Sequence, residues 1–222
     1  MEIEQKNQCE VSSLVENSSA DAKKIALHFA ILMNNDEIIR LLLNNGAIPA
    51  TRSLEFAILS TGPVINPIMR MVVASAGDTI DVKKEIDSVN NFLCTLLNCS
   101  YDEIQVELSG VENCLRNQQR LFKAVKNEDI KDLLAVCHYL SAHNQKAELN
   151  EQDHLGNTVL HYAALNSNAP QVCILLSHNA NPGILNCDGK TAHEYMAAGG
   201  RTFLESVYRL CRLREIRANR VA

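Results

Sequence analysis

The sequence predicts an all-α protein in which about six helical hairpins, some of them degenerate, stack side by side into a solenoid. Three observations carry that reading. First, 46% of the residues are hydrophobic but only 5% are aromatic and none is Trp, so a core must be filled by Leu, Ile, Val and Ala, the usual filling between packed helices. Second, apolar residues recur at helical spacing in long runs, as in Val82, Ile86, Val89, Leu93, Leu96 and Leu97, and again in Ile104, Leu108, Val111 and Leu115. Third, the chain repeats itself. Gly156 and Thr158 return 33 residues later as Gly189 and Thr191, and the interval from Leu27 to Ala47 equals that from Leu160 to Ala180.

Residues 1–20 open on Met-Glu-Ile-Glu and continue with Ser, Asn and Glu. They lack the apolar run of a signal peptide and read as a flexible or docking N-terminal extension. Residues 21–77 hold two copies of the repeat. In the first, Leu27-His28-Phe29-Ala30 is followed by a run through Leu41, Leu42 and Leu43 to Ala47. Asn35, Asp36 and Glu37 stand ahead of that run and supply an N-cap and acidic groups to the positive end of a helix, and Gly46 can end it in a left-handed conformation. The connection from Ala47 to Leu54, where the second copy starts, is too short for a projecting finger. Residues 78–118 show helical periodicity without the repeat's marker residues, and read as a degenerate helix pair or an insert. Residues 119–222 resume the repeat at Leu121, with Asn127, Glu128 and Asp129 ahead of its second helix. This copy runs about six residues over length before Asn150, which predicts a longer helix or loop. In the following copy Asn179 takes the place of Gly46. Arg209, Arg212, Arg214, Arg217 and Arg220 fit a solvated capping helix at the end.

The segment from Asp153 carries the strongest motif. Asp153, Gly156, Thr158, Leu160, His161, Ala163 and Ala164 match D-x-x-G-x-T-P-L-H-x-A-A, with Val159 in place of Pro, and the chain therefore resembles the ankyrin-repeat family over residues 150 to 200. The resemblance implies short β-hairpin fingers in the C-terminal part and a structural role for Thr158 and His161, which tie finger to helix. It also implies recognition of a partner protein through finger tips and the exposed positions of the first helix of each hairpin, which line a concave face. Carried over residue by residue, the tips are His154, Leu155 and Asn157, then Cys187, Asp188 and Lys190. The exposed helix positions are Leu32 and Met33, Leu59 and Ser60, Lys126 and Asn127, and Leu165 and Asn166. Leu32, Met33, Leu59 and Leu165 are apolar where such a stack is normally polar, and an exposed apolar strip usually means contact with something. An adaptor, an inhibitor and a pathogen effector all fit.

Other chemistry is poorly supported. The net charge of -5 gives no general field for nucleic acid; residues 201–222 carry six Arg against Glu205 and Glu215, or +4, leaving -9 on the first 200 residues. The eight cysteines have no C-x-x-C spacing, which argues against zinc and against a secreted disulfide framework and favours a reducing, cytoplasmic compartment, the host cytosol if the chain is an effector. Cys137 and His138 are neighbours and would point in different directions on a helix, so they make no nucleophile and base pair. No phosphate-cradling loop and no nucleophile elbow occurs. The expectation is no catalytic residue, metal, cofactor or small-molecule substrate. Two alternatives stay open: an enzyme with a site built on residues 78–118, and membrane or RNA association through the Arg-rich end.

Overall fold

Reversing a chain between two helices requires a residue that leaves the right-handed conformation and a group that starts the next helix. The computed structural model, which describes residues 17–61, 65–97 and 101–196, solves this problem the same way three times. Helix α1 (Ala20–Leu32) ends at Asn34 (φ 53°), the next residue's N–H returns to Ala30 O at 3.0 Å, and the Asn35 side chain accepts from Ile38 N at 3.0 Å to start α2 (Asp36–Asn44). Later in the chain Glu128 (φ 57°) and Ser167 (φ 52°) take the place of Asn34. The bonds Asp129 N to Ala124 O (2.8 Å) and Asn168 N to Ala163 O (3.1 Å) repeat the closure. Such a cap is worth about 1 kcal/mol, so the hairpins are encoded locally.

The chain divides into two compact units, residues 1–116 and 117–222. In the first, α1 and α2 are followed by α3 (Ser53–Thr61), α4 (Pro67–Ala76), α5 (Val82–Leu97) and the first part of α6 (Tyr101–Lys126). Leu27, Ile31, Ile39, Leu54, Ile58, Met69, Val72, Ile86 and Leu115 belong to one buried cluster. Asn66 accepts from Met69 N at 2.8 Å, and Pro67 behind it has no N–H that would need an acceptor, so α4 starts where its sequence permits. The second unit takes the end of α6, α7 (Ile130–Ala142), a 3-10 helix (Lys146–Asn150), α8 (Val159–Leu165), α9 (Ala169–Ser177) and the short α10 (Ala192–Tyr195). Leu121, Leu133, Val136, Leu140, Leu149, Leu160, Val172 and Leu175 are buried in it. Each unit is a stack of helical hairpins, as the repeat requires.

Several details depart from the sequence reading. No strand forms among the described residues, so the fingers of the C-terminal part are tight turns rather than β-hairpins. Asp153 N bonds to Asn157 O at 3.0 Å and Gly156 N to Asp153 O at 3.0 Å, which closes the turn within five residues and leaves nothing to extend into a ladder. The N-cap of α7 is Asp129 and not Asn127: its carboxylate accepts from Lys131 N and Asp132 N, both at 3.0 Å. The surplus residues before Asn150 form the 3-10 helix, which places Leu149 in the core. Helix α6 runs unbroken through residues 118 and 119, where the sequence suggested a boundary between an insert and a repeat. Residues 1–16 and the Arg-rich stretch from Arg201 lie outside the described residues.

Candidate interaction surface

In the second unit the marker residues of the repeat build a joint between one turn and the next. Asp153 folds its own turn by accepting from Leu155 N (3.0 Å) and Asn157 N (2.9 Å), and Asn186 does the same one repeat later with Asp188 N and Lys190 N, both at 3.0 Å. The turns are linked by Cys187 N to Leu155 O at 2.9 Å and by Asn186 Nδ2 to Asn157 Oδ1 at 2.9 Å. Gly156 (φ 74°) makes the approach possible: a Cβ there would sit 2.8 Å from Cys187 N.

His161 completes the joint. Its Nδ1 accepts from Thr158 N at 3.1 Å, which leaves the proton on Nε2 to donate to Lys190 O at 3.2 Å. Burial lowers its pKa from the usual 6.5 by disfavouring the charged ring, opposed by the bond to Lys190 O and by Asp153. Glu194 replaces the ring at the following repeat, accepting from Thr191 N (2.7 Å) and Thr191 Oγ1 (3.0 Å). These groups are engaged in holding the stack.

The exposed side of α8 and the end of α6 present different chemistry. Lys126 Nζ lies 4.8 Å over the Tyr162 ring and 5.6 Å over Phe122, while Tyr162 donates its hydroxyl to Asp153. Lys126 is exposed as a residue, yet desolvation of its ammonium lowers its pKa, opposed by Asp153. Leu165 is 57% exposed and Leu155 37%. Asn166 is exposed, but its amide reaches Val125 O at 3.4 Å. His154 and Asn157 are half-buried, Asp188 accepts from Tyr195 Oη at 3.2 Å, and Lys190 Nζ stands 5.6 Å over the Tyr195 ring. The tip residues are therefore partly spent on their own turns. Cys137 is wholly buried and its thiol is pushed up to about 12, so it is inert beside His138.

Among the described residues of the first unit no finger forms, and the joint is made by other groups. His28, at the place of His161, pairs through Nε2 with Ser53 Oγ at 3.0 Å, across from α1 to the start of α3. Burial, with Lys24 and Arg52 nearby, lowers its pKa. Glu85, far away on α5, supplies what a finger would: its carboxylate accepts from Leu54 N (2.8 Å), Arg52 N (2.9 Å) and Glu55 N (3.2 Å). Burial raises the pKa of Glu85 despite those three donors. Leu32 and Leu59, equivalent positions on α1 and α3, are 42% and 41% exposed, and Met33 is 77% exposed.

Residues 121–176 match the family model described as ankyrin repeats (many copies), and residues 24–53 match that of the ankyrin repeat. The chain carries ankyrin repeats over these residues. The matched segments are the hairpins whose turns close identically. Among solved structures, the chain is similar to the crystal structure of the ankyrin repeat domain of Bcl-3, described as a unique member of the IkappaB protein family, at 18% identity and a TM-score of 0.36 over 91% of this chain and 94% of that one. No curated protein sequence matches it. Ankyrin repeats are generally protein–protein interaction modules, and the fold is typically a non-enzymatic binding scaffold.

Glu85 and Gln171 were missed from the sequence, while Asp129 was read as an acidic group beside the cap and is the cap itself. Gln171 is fully buried on α9 and donates to Ala124 O (3.3 Å) and Val125 O (3.4 Å), two carbonyls of the last turn of α6 that also accept from the backbone of the reversal. A Gln two residues into a helix, directly after Pro170, was the available signal. Glu85 left no local signal, since its partners lie 30 to 33 positions away in the chain.

Proposed function

We propose that this chain is a non-catalytic module that binds a partner protein through the exposed side of its first helices, as an adaptor, an inhibitor or an effector. The observation that supports this most is the repetition of leucine at one register: Leu32 and Leu59 in the first unit and Leu165 in the second are each more than 40% exposed where the family's scaffold needs no apolar group. Residues 78–118 strengthen the reading, because Glu85, a buried carboxylate in that stretch, spends its oxygens on the start of α3 and is in no position to serve as an acid or base. The proposed compartment is reducing and cytosol-like. Cys94, Cys114, Cys137, Cys173 and Cys187 form no disulfide, which is consistent with it.

Leu32 and Leu59 replaced together by Asp test the reading. Burying a leucine at an interface is worth about 1.5 to 3 kcal/mol, so the double variant loses a partner captured by the wild-type chain by far more than ~tenfold. Its helical circular dichroism and urea midpoint stay close to wild type, because both side chains already face water. A folded variant that captures the same partner at full strength overturns the proposal.

A further inference from the structure

Lys126, Tyr162 and Asp153 form one cluster in the second unit, and its two charges are placed unequally. The Lys126 ammonium stands over two rings, 4.8 Å from the centroid of Tyr162 and 5.6 Å from that of Phe122, and the rings meet edge to face at 5.9 Å. Asp153 is 1% exposed and spends its oxygens on Leu155 N, Asn157 N and the Tyr162 hydroxyl. The cluster therefore keeps its carboxylate inside and presents its cation on an exposed residue. The next repeat differs. Lys190 stands 5.6 Å over Tyr195, but Asp188, which accepts from that ring's hydroxyl, is itself exposed and offsets the charge.

Apolar groups stand beside this cation. Asn166 Nδ2 reaches Val125 O at 3.4 Å, which brings Leu165, the residue before Asn166, close to Lys126, the residue after Val125. Leu165 is 57% exposed, and Leu155, whose N–H shares the Asp153 carboxylate with Tyr162, is 37% exposed. Desolvation lowers the pKa of Lys126, and an ammonium already stripped of part of its water gives up less on meeting a carboxylate. The leucines favour an apolar side chain next to that carboxylate. A phosphate backbone would leave both leucines uncovered, and the net charge of -5 disfavours a polyanion. We infer, resting on the partner-binding reading above, that this cluster selects the partner by its chemistry. It takes a protein segment carrying Asp or Glu next to an aliphatic or aromatic residue, the carboxylate on Lys126 and the apolar side chain on Leu165.

Random peptides displayed on phage and panned on the full chain read that chemistry directly. The selected pool is expected to be enriched in Asp or Glu beside Leu, Ile, Phe or Trp. Its best member, followed by fluorescence anisotropy, should bind the wild-type chain more weakly as salt rises, a measurement that needs no variant. Lys126→Gln should weaken it about tenfold and Lys126→Arg should restore it, while Leu165→Gln removes the apolar preference and keeps the acidic one. Both positions are exposed, so the helical circular dichroism of these variants stays at the wild-type level. A pool without acidic enrichment overturns the inference and leaves the partner-binding reading standing; no pool above an uncoated surface overturns both. Full-strength binding by the Lys126→Gln variant overturns it as well. So does displacement of the peptide by an equal concentration of single-stranded RNA, which would assign the face to polyanions.

Discussion

The two units perform one task, fixing the start of a repeat's first helix, with different groups. In the second unit Asp153, Gly156, Thr158 and His161 do it within nine residues. In the first unit no finger forms among the described residues, and Glu85 reaches back from α5 to accept three backbone N–H groups around Leu54. The repeat therefore does not depend on its own motif. It depends on satisfying the backbone donors at a helix start, and a remote carboxylate serves when local residues do not.

The largest effect that would break the comparison is at the turn glycines. Gly156→Val is expected to destabilise the second unit by at least about 3 kcal/mol in urea unfolding, because its side chain meets the backbone of Cys187 and Asn186 at a left-handed residue. Gly46→Ala in the first unit should cost only about 1 kcal/mol, since φ is equally positive (79°) but nothing lies within 4 Å. Equal losses would show that conformation and not close approach governs both.

Glu85→Ala comes next, at about 2 to 3 kcal/mol, because the buried N–H groups of Leu54 and Glu55 and the partly buried one of Arg52 lose their shared acceptor together. Hydrogen exchange should localise the damage to the start of α3 and spare α8. Protection lost evenly across both units would contradict a local cap.

Acid sharpens the comparison more gently. His161 has a folded pKa below 6.5, so the unfolded chain takes up its proton first; the stability His161 confers is complete above 6.5 and is lost as pH falls from there through the folded pKa. His28 has the same sign in the first unit. A His161→Gln variant should show a flatter fall in urea midpoint with acid than wild type, measured by circular dichroism, and an unchanged slope would remove His161 from the joint. The smallest expected change is Asn179→Gly, neutral or stabilising by up to about 1 kcal/mol in thermal unfolding, since Asn179 already sits at φ 71°.

Much of this was readable in the chain. The hairpins follow from Asn35, Gly46 and Asn179, whose side chains or lack of one suit the turns they occupy, and the exposed places of Leu32, Leu59 and Leu165 are those that the resemblance to ankyrin repeats implied. Asp129 was masked by Asn127 two positions earlier, since either can cap a helix and only the position of the left-handed residue, Glu128, chooses between them. The fingers were overread as strands because the motif specifies a turn and is silent on how far the flanks pair.

What the sequence by itself determined is local: which residues form helices, where each hairpin reverses, and which face of each helix is apolar, because all of these depend on neighbours within a few positions. Tertiary structure alone decided that Glu85 stands in for a finger, that Gln171 closes the end of α6, and that α6 runs unbroken from Tyr101 to Lys126. The first two outcomes turn on buried donors and acceptors brought together from distant parts of the chain. A hydrogen bond of that kind is required by burial and not by spacing, so no local pattern announces it.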